Sequence, residues 1–148
     1  MEQSLTYQGL DIIDFPKLLL LLQQYKEAVG ESELSETQSE KLKSAIMHRK
    51  IEYFVAKHGN ELVAMCSICE VFSTYLCEKS GIFEDFFIVA KYRHTGIARE
   101  LTHYVFDEMC SRGIATVWVG CAESDIEMYK SLGFETPLGN LLTWSSRG

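Results

Sequence analysis

The sequence has little positive charge and no long apolar run. Its 148 residues carry 14 Lys and Arg side chains against 21 Asp and Glu, a formal net charge of −7. Nucleic-acid binders need a cationic face that displaces counterions, so this balance argues against such a partner. The membrane-like stretch Leu18 to Leu22 is far too short to span a bilayer. No positively charged leader precedes it, so we expect neither membrane association nor a secretory signal.

The five cysteines form no recognisable metal site. Cys66 and Cys69 make a C-x-x-C pair, but no second pair or nearby histidine completes a zinc site. On a strand, an offset of three residues points the two thiols to opposite faces, so we interpret both as small buried hydrophobic side chains. The odd cysteine count favours a reducing compartment, and we expect a cytoplasmic protein without a bound metal.

The composition is that of an ordinary globular protein, with 47% hydrophobic and 24% charged residues. We find no internal repeat, linker or low-complexity tract, so we expect one domain that covers residues 1–148. The acidic balance is compatible with a cationic substrate, although acidic proteins are common for other reasons.

Periodicity and turn signals predict an alternating order of helices and strands. The predicted elements are helices at 16–29 and 35–47, a hairpin of strands 51–57 and 61–75, a strand at 81–90, a helix at 96–112, a strand at 114–121, a helix at 124–134 that Gly133 closes, and a last strand at 140–144. Two strands joined by a helix are typically parallel. We therefore expect an α/β (α+β) fold, a mixed sheet with antiparallel N-terminal strands and a central parallel pair, flanked by helices.

One helix start has the features of an anion site. In "YRHTGIA" (92–98) a buried strand runs almost directly into a helix, whose first amides lack internal partners and lie at the positive end of its dipole. Gly96 permits a close approach to the backbone, and Ala98 is small. This geometry suits a phosphate or a diphosphate, but R-x-x-G-x-A alone is a weak signal.

A second segment, "MYKSLGF" (128–134), lies after the next strand and strengthens the interpretation. Together the two segments resemble the Gcn5-related N-acetyltransferase (GNAT) family. The matching residues are Arg93, Gly96, Ala98, Tyr129, Leu132, Gly133 and Phe134.

The resemblance implies acetyl-CoA as the cosubstrate and assigns roles to individual residues. It implies that the strand end at Phe87, Ile88 and Val89 aligns the pantetheine arm. It implies that the loop and helix start hold the diphosphate, and these residues are Arg93, His94, Thr95, Gly96, Ile97 and Ala98. It also implies that Tyr129 protonates the departing thiolate, whereas the alternative for Tyr129 is a core ring with a satisfied hydroxyl.

The sequence departs from the family at two positions. Ala122 stands where the family often has asparagine, and Asp125 where alanine is usual. One hydrogen bond to the cofactor is therefore missing or made differently. This departure motivates a non-catalytic acyl-CoA sensor on the same fold as one alternative.

The acidic pair Glu84 and Asp85 points to the acceptor. The stretch "EDFFI" looks like the diamine and polyamine acetyltransferase branch, and that likeness makes Glu84 the candidate base. An ammonium has no lone pair, so a base must remove its proton before attack. The alternative for both residues is an ion pair or a cap, and regular strand alternation predicts that they point to opposite faces.

We therefore expect an N-acetyltransferase that acts on a primary amine of a small molecule, polyamine-like or amino-acid-like, by direct attack in a ternary complex. Acetylation of peptides or proteins is the alternative acceptor class. Transfer through Cys121 lacks an evident histidine partner. A homodimer is possible through an exposed edge of the strand predicted at 140–144.

Overall fold

The computed structural model describes residues 4–147 and is organised around a single five-stranded sheet. The strands lie in chain order across the sheet. They are β1 (Leu5–Gly9), β2 (Glu52–His58), β3 (Glu61–Ser73), β4 (Glu78–Ile88) and β5 (Val117–Val119). The helices are α1 (Phe15–Val29), α2 (Glu36–Met47), α3 (Ile97–Ser111) and α4 (Ile126–Leu132).

The sheet is mixed, as the sequence predicts. Strands β1 to β4 pair antiparallel, and the predicted hairpin forms between β2 and β3. β5 pairs with β4 in parallel after the α3 crossover, over only three residues on each strand. The antiparallel front and the parallel βα-β pair are therefore confirmed.

Local sequence signals explain how α1 and α2 begin and end. Pro16 lies in the first turn of α1, where its missing amide costs nothing, and Gly30 ends the helix at φ 77°. Ser35 caps α2, because its hydroxyl accepts from the Gln38 amide while the Gln38 side chain accepts from the Ser35 amide. Both boundaries agree with the predicted helices.

Helices cover both faces of the sheet and enclose two cores. On one face, hereafter the α1 face, α1 buries a stripe that packs on β2, β3 and β4 and includes Leu18, Leu21 and Leu22. On the other face, hereafter the α3 face, α3 buries Ile97, Leu101 and Val105 against the sheet. Cys66 belongs to the α3-face core, so this thiol is a buried hydrophobic side chain as predicted, whereas Cys69 is only half-buried.

The two edge strands of the sheet differ from the sequence prediction. β1 was not predicted, because it is a short edge strand with mixed polarity. β5 is shorter than predicted, since residues 114–116 and 120–121 have no ladder partner on β4.

The predicted last strand at 140–144 is wrong. No strand forms there among the described residues, and Leu141, Leu142 and Trp144 are almost fully exposed. Leu141 lies against Gly120, so the segment passes the end of β5 without pairing to it. Adjacent residues of a strand point to opposite faces, so Leu141 and Leu142 could not both face one core from a strand. The apolar character of the segment alone therefore does not make it a strand. The exposed strand edge suggested for a dimer contact is absent from this segment.

Within residues 4–147, no helix combines the length and the apolar character needed to cross a membrane. In the same residues, no group of three or more His, Cys, Asp or Glu side chains is arranged to hold a metal ion.

Candidate functional site

The two parallel strands separate in the middle of the sheet. β5 pairs with Gly81, Ile82 and Phe83 of β4 and ends at Val119. β4 continues to Ile88, and among the described residues this second part has a strand partner only on the β3 side. A gap therefore opens beside β4 from Glu84 onward, with one row of backbone groups facing it.

A β-bulge lies at the start of this gap. Ser67 of β3 pairs with Glu84, and Met65 pairs with Phe87. Two residues of β4, Asp85 and Phe86, therefore oppose the single residue Cys66. Asp85 has φ 54°, a left-handed conformation that is uncommon for residues other than glycine.

The bulge places Glu84 and Asp85 on the same side of the sheet. Glu84 shares the side of its partner Ser67, and the Ser67 hydroxyl donates a hydrogen bond to Asp85 on the α1 face. The prediction that the two carboxylates point to opposite faces is therefore wrong. It assumed regular alternation, which a bulge interrupts.

Two hydroxyl groups hold the Asp85 carboxylate. Tyr53 Oη donates to Asp85 Oδ2 at 2.8 Å, and Ser67 Oγ donates to the same oxygen at 3.0 Å. Both donors are almost completely buried. Burial, and then the Asp85 charge, raise the pKa of Tyr53 above its ordinary value, so the phenol keeps its proton and remains a donor.

Glu84 is exposed at the edge of the same face. Partial desolvation, and secondly the neighbouring Asp85 charge, raise the pKa of Glu84. Tyr25 of α1 packs against Phe87 of β4, with 6.1 Å between the ring centroids. Burial first, then the Asp85, Glu31 and Glu84 charges, raise the pKa of its phenol. One negatively charged region thus joins the end of α1 to the bulge.

Tyr129 of α4 packs on the α3 face, beside the bulge of β4. Its ring centroid is 6.1 Å from that of Phe86 and 5.8 Å from that of Phe134. Burial first, then Tyr25, Asp125, Cys121 and Cys66, raise the pKa of Tyr129. The Tyr129 phenol therefore stays protonated at neutral pH.

The rest of the second sequence segment supports the position of Tyr129. Leu132 is buried, and Gly133 ends α4 at φ 119°. A Cβ on Gly133 would lie 3.1 Å from the ring of Phe106, so both the backbone conformation and the space favour glycine here.

The helix start at Gly96 has the predicted form. Gly96 adopts φ 90° immediately before α3, and within residues 4–147 no side chain caps the first amides of this helix. A Cβ at Gly96 would meet nothing within 4 Å, so open space lies above these amides. The site fits a diphosphate, because the amides of Ile97 and Ala98 lack intrahelical partners and carry the positive end of the dipole.

The loop before α3 places the other predicted cofactor residues at the end of β4. Arg93 Nε donates to the Ile88 carbonyl at 3.0 Å, and its guanidinium lies 5.4 Å from the Phe87 ring centroid. His94 is exposed at φ 62°, and the Thr95 hydroxyl donates to the Tyr92 carbonyl. The loop is therefore fixed to the strand end next to the gap.

Three residues of this site were not predicted from the sequence: Tyr25, Tyr53 and Ser67. Tyr25 continues the buried stripe of α1 three residues after Leu22, so the helical spacing could have identified it. Tyr53 and Ser67 lie within apolar strand runs on β2 and β3, and only the strand pairing brings them to Asp85.

Solved acetyltransferase structures share this architecture. An aminoglycoside acetyltransferase from an uncultured soil metagenomic sample has a TM-score of 0.83 at 18% identity, over 96% of this chain and 95% of that one. A predicted acetyltransferase from Clostridium acetobutylicum, solved with acetyl-CoA, has a TM-score of 0.78 at 16% identity, over 95% and 96% of the two chains. Glucosamine-6-phosphate N-acetyltransferase from Arabidopsis thaliana has a TM-score of 0.77 at 16% identity, over 96% and 99%.

At these identities the structures show a shared fold, and no curated protein sequence matches the chain significantly. The family itself is shown by a sequence model. The model of the acetyltransferase (GNAT) family matches residues 16–134, which contain both sequence segments and nearly every element from α1 to α4. The chain therefore belongs to the acetyltransferase (GNAT) family and is an acetyltransferase that uses acetyl-CoA.

Proposed function

We propose that this acetyltransferase modifies the primary amine of a small, positively charged molecule, by direct attack in a ternary complex. The observation that carries the proposal is the common face of Glu84 and Asp85 at the gap between β4 and β5. Several carboxylates around one cleft attract a cation and raise its local concentration.

The end of α1 and the loop after it favour a small acceptor. Lys26 Nζ lies 2.9 Å from Glu31 Oε2, and Gln23 Nε2 donates to Glu33 Oε2 at 3.3 Å. These contacts fold the loop back onto α1, beside the acidic region. A loop held against α1 in this way suits a small amine better than an extended peptide.

The cofactor residues are assigned as the resemblance implies. The free edge of β4 at Phe87, Ile88 and Val89 would align the pantetheine arm, and the residues from Arg93 to Ala98 would hold the diphosphate. Bound acetyl-CoA supplies an activated thioester. Placing that thioester and the amine in one gap contributes most of the rate acceleration.

Glu84 and Tyr129 divide the proton chemistry. Glu84 accepts the proton that the acceptor nitrogen loses, and its raised pKa makes it a stronger base than an ordinary carboxylate. The nitrogen forms a bond to the acetyl carbon while the carbon–sulfur bond breaks. The Tyr129 hydroxyl donates its proton to the departing sulfur, which leaves as a thiol, and the second proton that the nitrogen loses on forming the amide restores the phenol through water.

The proposal is tested by incubating the protein with acetyl-CoA and a panel of diamines, longer polyamines, amino acids, aminoglycosides and short peptides. Mass spectrometry should detect both coenzyme A and the acetylated product, because the protein's own five cysteines would react with a thiol dye. We expect acetylated diamine or polyamine. Products from peptides alone would contradict the proposed acceptor class, and tight acetyl-CoA binding with no product would favour the sensor alternative.

The Glu84→Gln variant is the matched control for this assay. It keeps the size and hydrogen-bonding capacity of the side chain but removes the base, so acetyl-CoA should bind while product formation falls.

A reducing setting is part of the proposal, and the five free cysteines fit a cytoplasm where thiols stay reduced. A homodimer stays a prediction.

A further inference from the structure

The geometry around Asp85 suggests a role that differs from that of Glu84. Asp85 uses one carboxylate oxygen, Oδ2, to accept hydrogen bonds from both Tyr53 and Ser67. These two donors lie on β2 and β3, are 2% and 1% exposed, and belong to the fixed part of the sheet. We call this arrangement of Tyr53, Asp85 and Ser67 the hydroxyl clamp.

The bulge at Asp85 sets the orientation of every residue that follows on β4. Phe86 and Ile88 pack on the α3-face core, whereas Phe87 and Val89 pack on the α1-face core. If β4 continued from Glu84 as a regular strand without the bulge, each of these residues would point to the opposite face of the sheet. Phe86 would then leave Tyr129, and Phe87 would leave Tyr25, whose ring centroid is 6.1 Å away.

The conformation of Asp85 is unfavourable without such a clamp. A left-handed φ of 54° is tolerated by aspartate and asparagine better than by most residues, but it still requires support from the surroundings. Two buried donors that converge on one oxygen provide that support. The clamp therefore links the buried sheet to the orientation of the strand end.

We propose that Asp85 is a positioning residue whose carboxylate, held by Tyr53 and Ser67, maintains the bulge that places Phe86 against Tyr129 and Phe87 against Tyr25. The inference rests on the proposed function, since Tyr129 and the strand end that would align the pantetheine arm are the groups that it positions. In this role Asp85 acts as a hydrogen-bond acceptor and exchanges no proton with the substrate.

Two substitutions of Asp85 distinguish a role as hydrogen-bond acceptor from a role of its negative charge. Asp85→Asn keeps an oxygen that can accept from both hydroxyls and tolerates the same φ, whereas Asp85→Ala removes the acceptor. We expect kcat of Asp85→Asn to stay within about threefold of wild type, and kcat of Asp85→Ala to fall about 100-fold, as misplacement of catalytic groups predicts. Asp107→Ala, at an exposed position on α3, is the control and should leave kcat unchanged.

Two other outcomes for these variants would overturn the inference. If Asp85→Asn and Asp85→Ala lose activity equally, the negative charge is required and Asp85 binds or deprotonates the amine. If both variants keep wild-type kcat, the clamp does not matter for catalysis.

A second variant covers the case in which Asp85→Ala does not fold. The double variant Tyr53→Phe with Ser67→Ala removes both donors and leaves Asp85 in place. We expect its kcat to fall at least about tenfold by the same misplacement, and an unchanged kcat would overturn the inference.

A spectroscopic readout separates this inference from the proposed function. In nitrogen-15-labelled protein, the backbone amide resonances of Phe86 and Phe87 should keep their positions in Asp85→Asn and move in Asp85→Ala. Unmoved resonances in Asp85→Ala would overturn the positioning role even if wild type acetylates amines. A wild-type protein that acetylates no amine would instead contradict the proposed function, and the resonances would still report on the clamp.

Discussion

The two halves of β4 are held in different ways. Gly81, Ile82 and Phe83 have strand partners on both sides, and Phe83 is completely buried. The half from Glu84 to Ile88 has a described partner on one side only, contains the bulge and carries two carboxylates on the α1 face. The comparison teaches that regular pairing supports the core, whereas interrupted pairing supplies the free edge and the polar groups of a site.

Loss of the base in the bulged half of β4 should cause the largest loss of activity. Glu84→Gln removes the proton acceptor, so we expect kcat/KM for the amine to fall about 100- to 1,000-fold, the usual contribution of a general base. Steady-state kinetics with mass-spectrometric detection measures the loss. Acetyl-CoA affinity, followed by calorimetry, should not change. An unchanged kcat/KM would mean that water or another group accepts the proton.

The helix start should be the next most sensitive position. Gly96→Ala introduces a methyl group at φ 90° into the space where we place the diphosphate, so we expect the Kd of acetyl-CoA to rise about 30-fold, the result of one lost charge-assisted hydrogen bond. Gly113→Ala is the matched control, because Gly113 follows α3 at its other end with φ 78° and is also surrounded by open space. Equal affinity in the two variants, measured by calorimetry, would place the diphosphate elsewhere.

Loss of the Tyr129 hydroxyl should have a smaller effect. A thiolate leaves well without help, so Tyr129→Phe should lower kcat by about tenfold, below the usual range for a general acid. The KM for the amine should change little, because the ring still packs on Phe86 and Phe134. A variant with wild-type kcat would show that water delivers the proton.

A substitution in the regularly paired half should affect stability and spare catalysis. Ile68 of β3 pairs with Phe83 and is buried, so Ile68→Ala should lower the free energy of unfolding by about 2–4 kcal/mol. Thermal unfolding followed by circular dichroism should show a Tm lower by roughly 5–15 °C for a chain of this length. Well below that Tm, kcat should stay within about twofold of wild type, because folded molecules keep the site. A large loss of kcat would show that the two halves are not separable.

The smallest expected effect is on the stability of the folded protein, which the charged form of Glu84 lowers. Its pKa is raised in the folded chain, so its stabilising contribution is complete below the unfolded value of about 4.3 and is lost as the pH rises through the folded value. At neutral pH, Glu84→Gln should therefore raise Tm by about 1 °C, after allowance for solvent screening. The gain should vanish in acid. Glu27→Gln, at an exposed position on α1, is the control for the substitution itself.

Sequence patterns predicted the regular part of this molecule well. Pro16, Gly30 and Ser35 mark helix ends by local backbone chemistry, and the structure confirms α1 and α2 at these residues. The parallel pair followed from one strand–helix–strand order. The two sequence segments identified the family because Gly96 and Gly133 occupy left-handed positions that few other residues adopt.

The features that sequence could not predict depend on pairing between distant strands. The bulge arises from the register of β4 against β3, and the run from Phe86 to Val89 is apolar at every position, so it gives no alternation to read. The clamp joins residues from β2, β3 and β4, which are up to 32 positions apart. The segment 140–144 was misassigned because its leucines and tryptophan suggested burial that the fold does not provide.

The most direct test of the central claim is a titration of nitrogen-15-labelled protein with acetyl-CoA, followed by backbone amide resonances. We predict that the resonances of residues 86–89 and 96–99 shift together with one affinity, while those of Gly81, Ile82 and Phe83 change little. Shifts confined to other parts of the chain, or equal shifts in the two halves of β4, would contradict the assignment of the site to the gap.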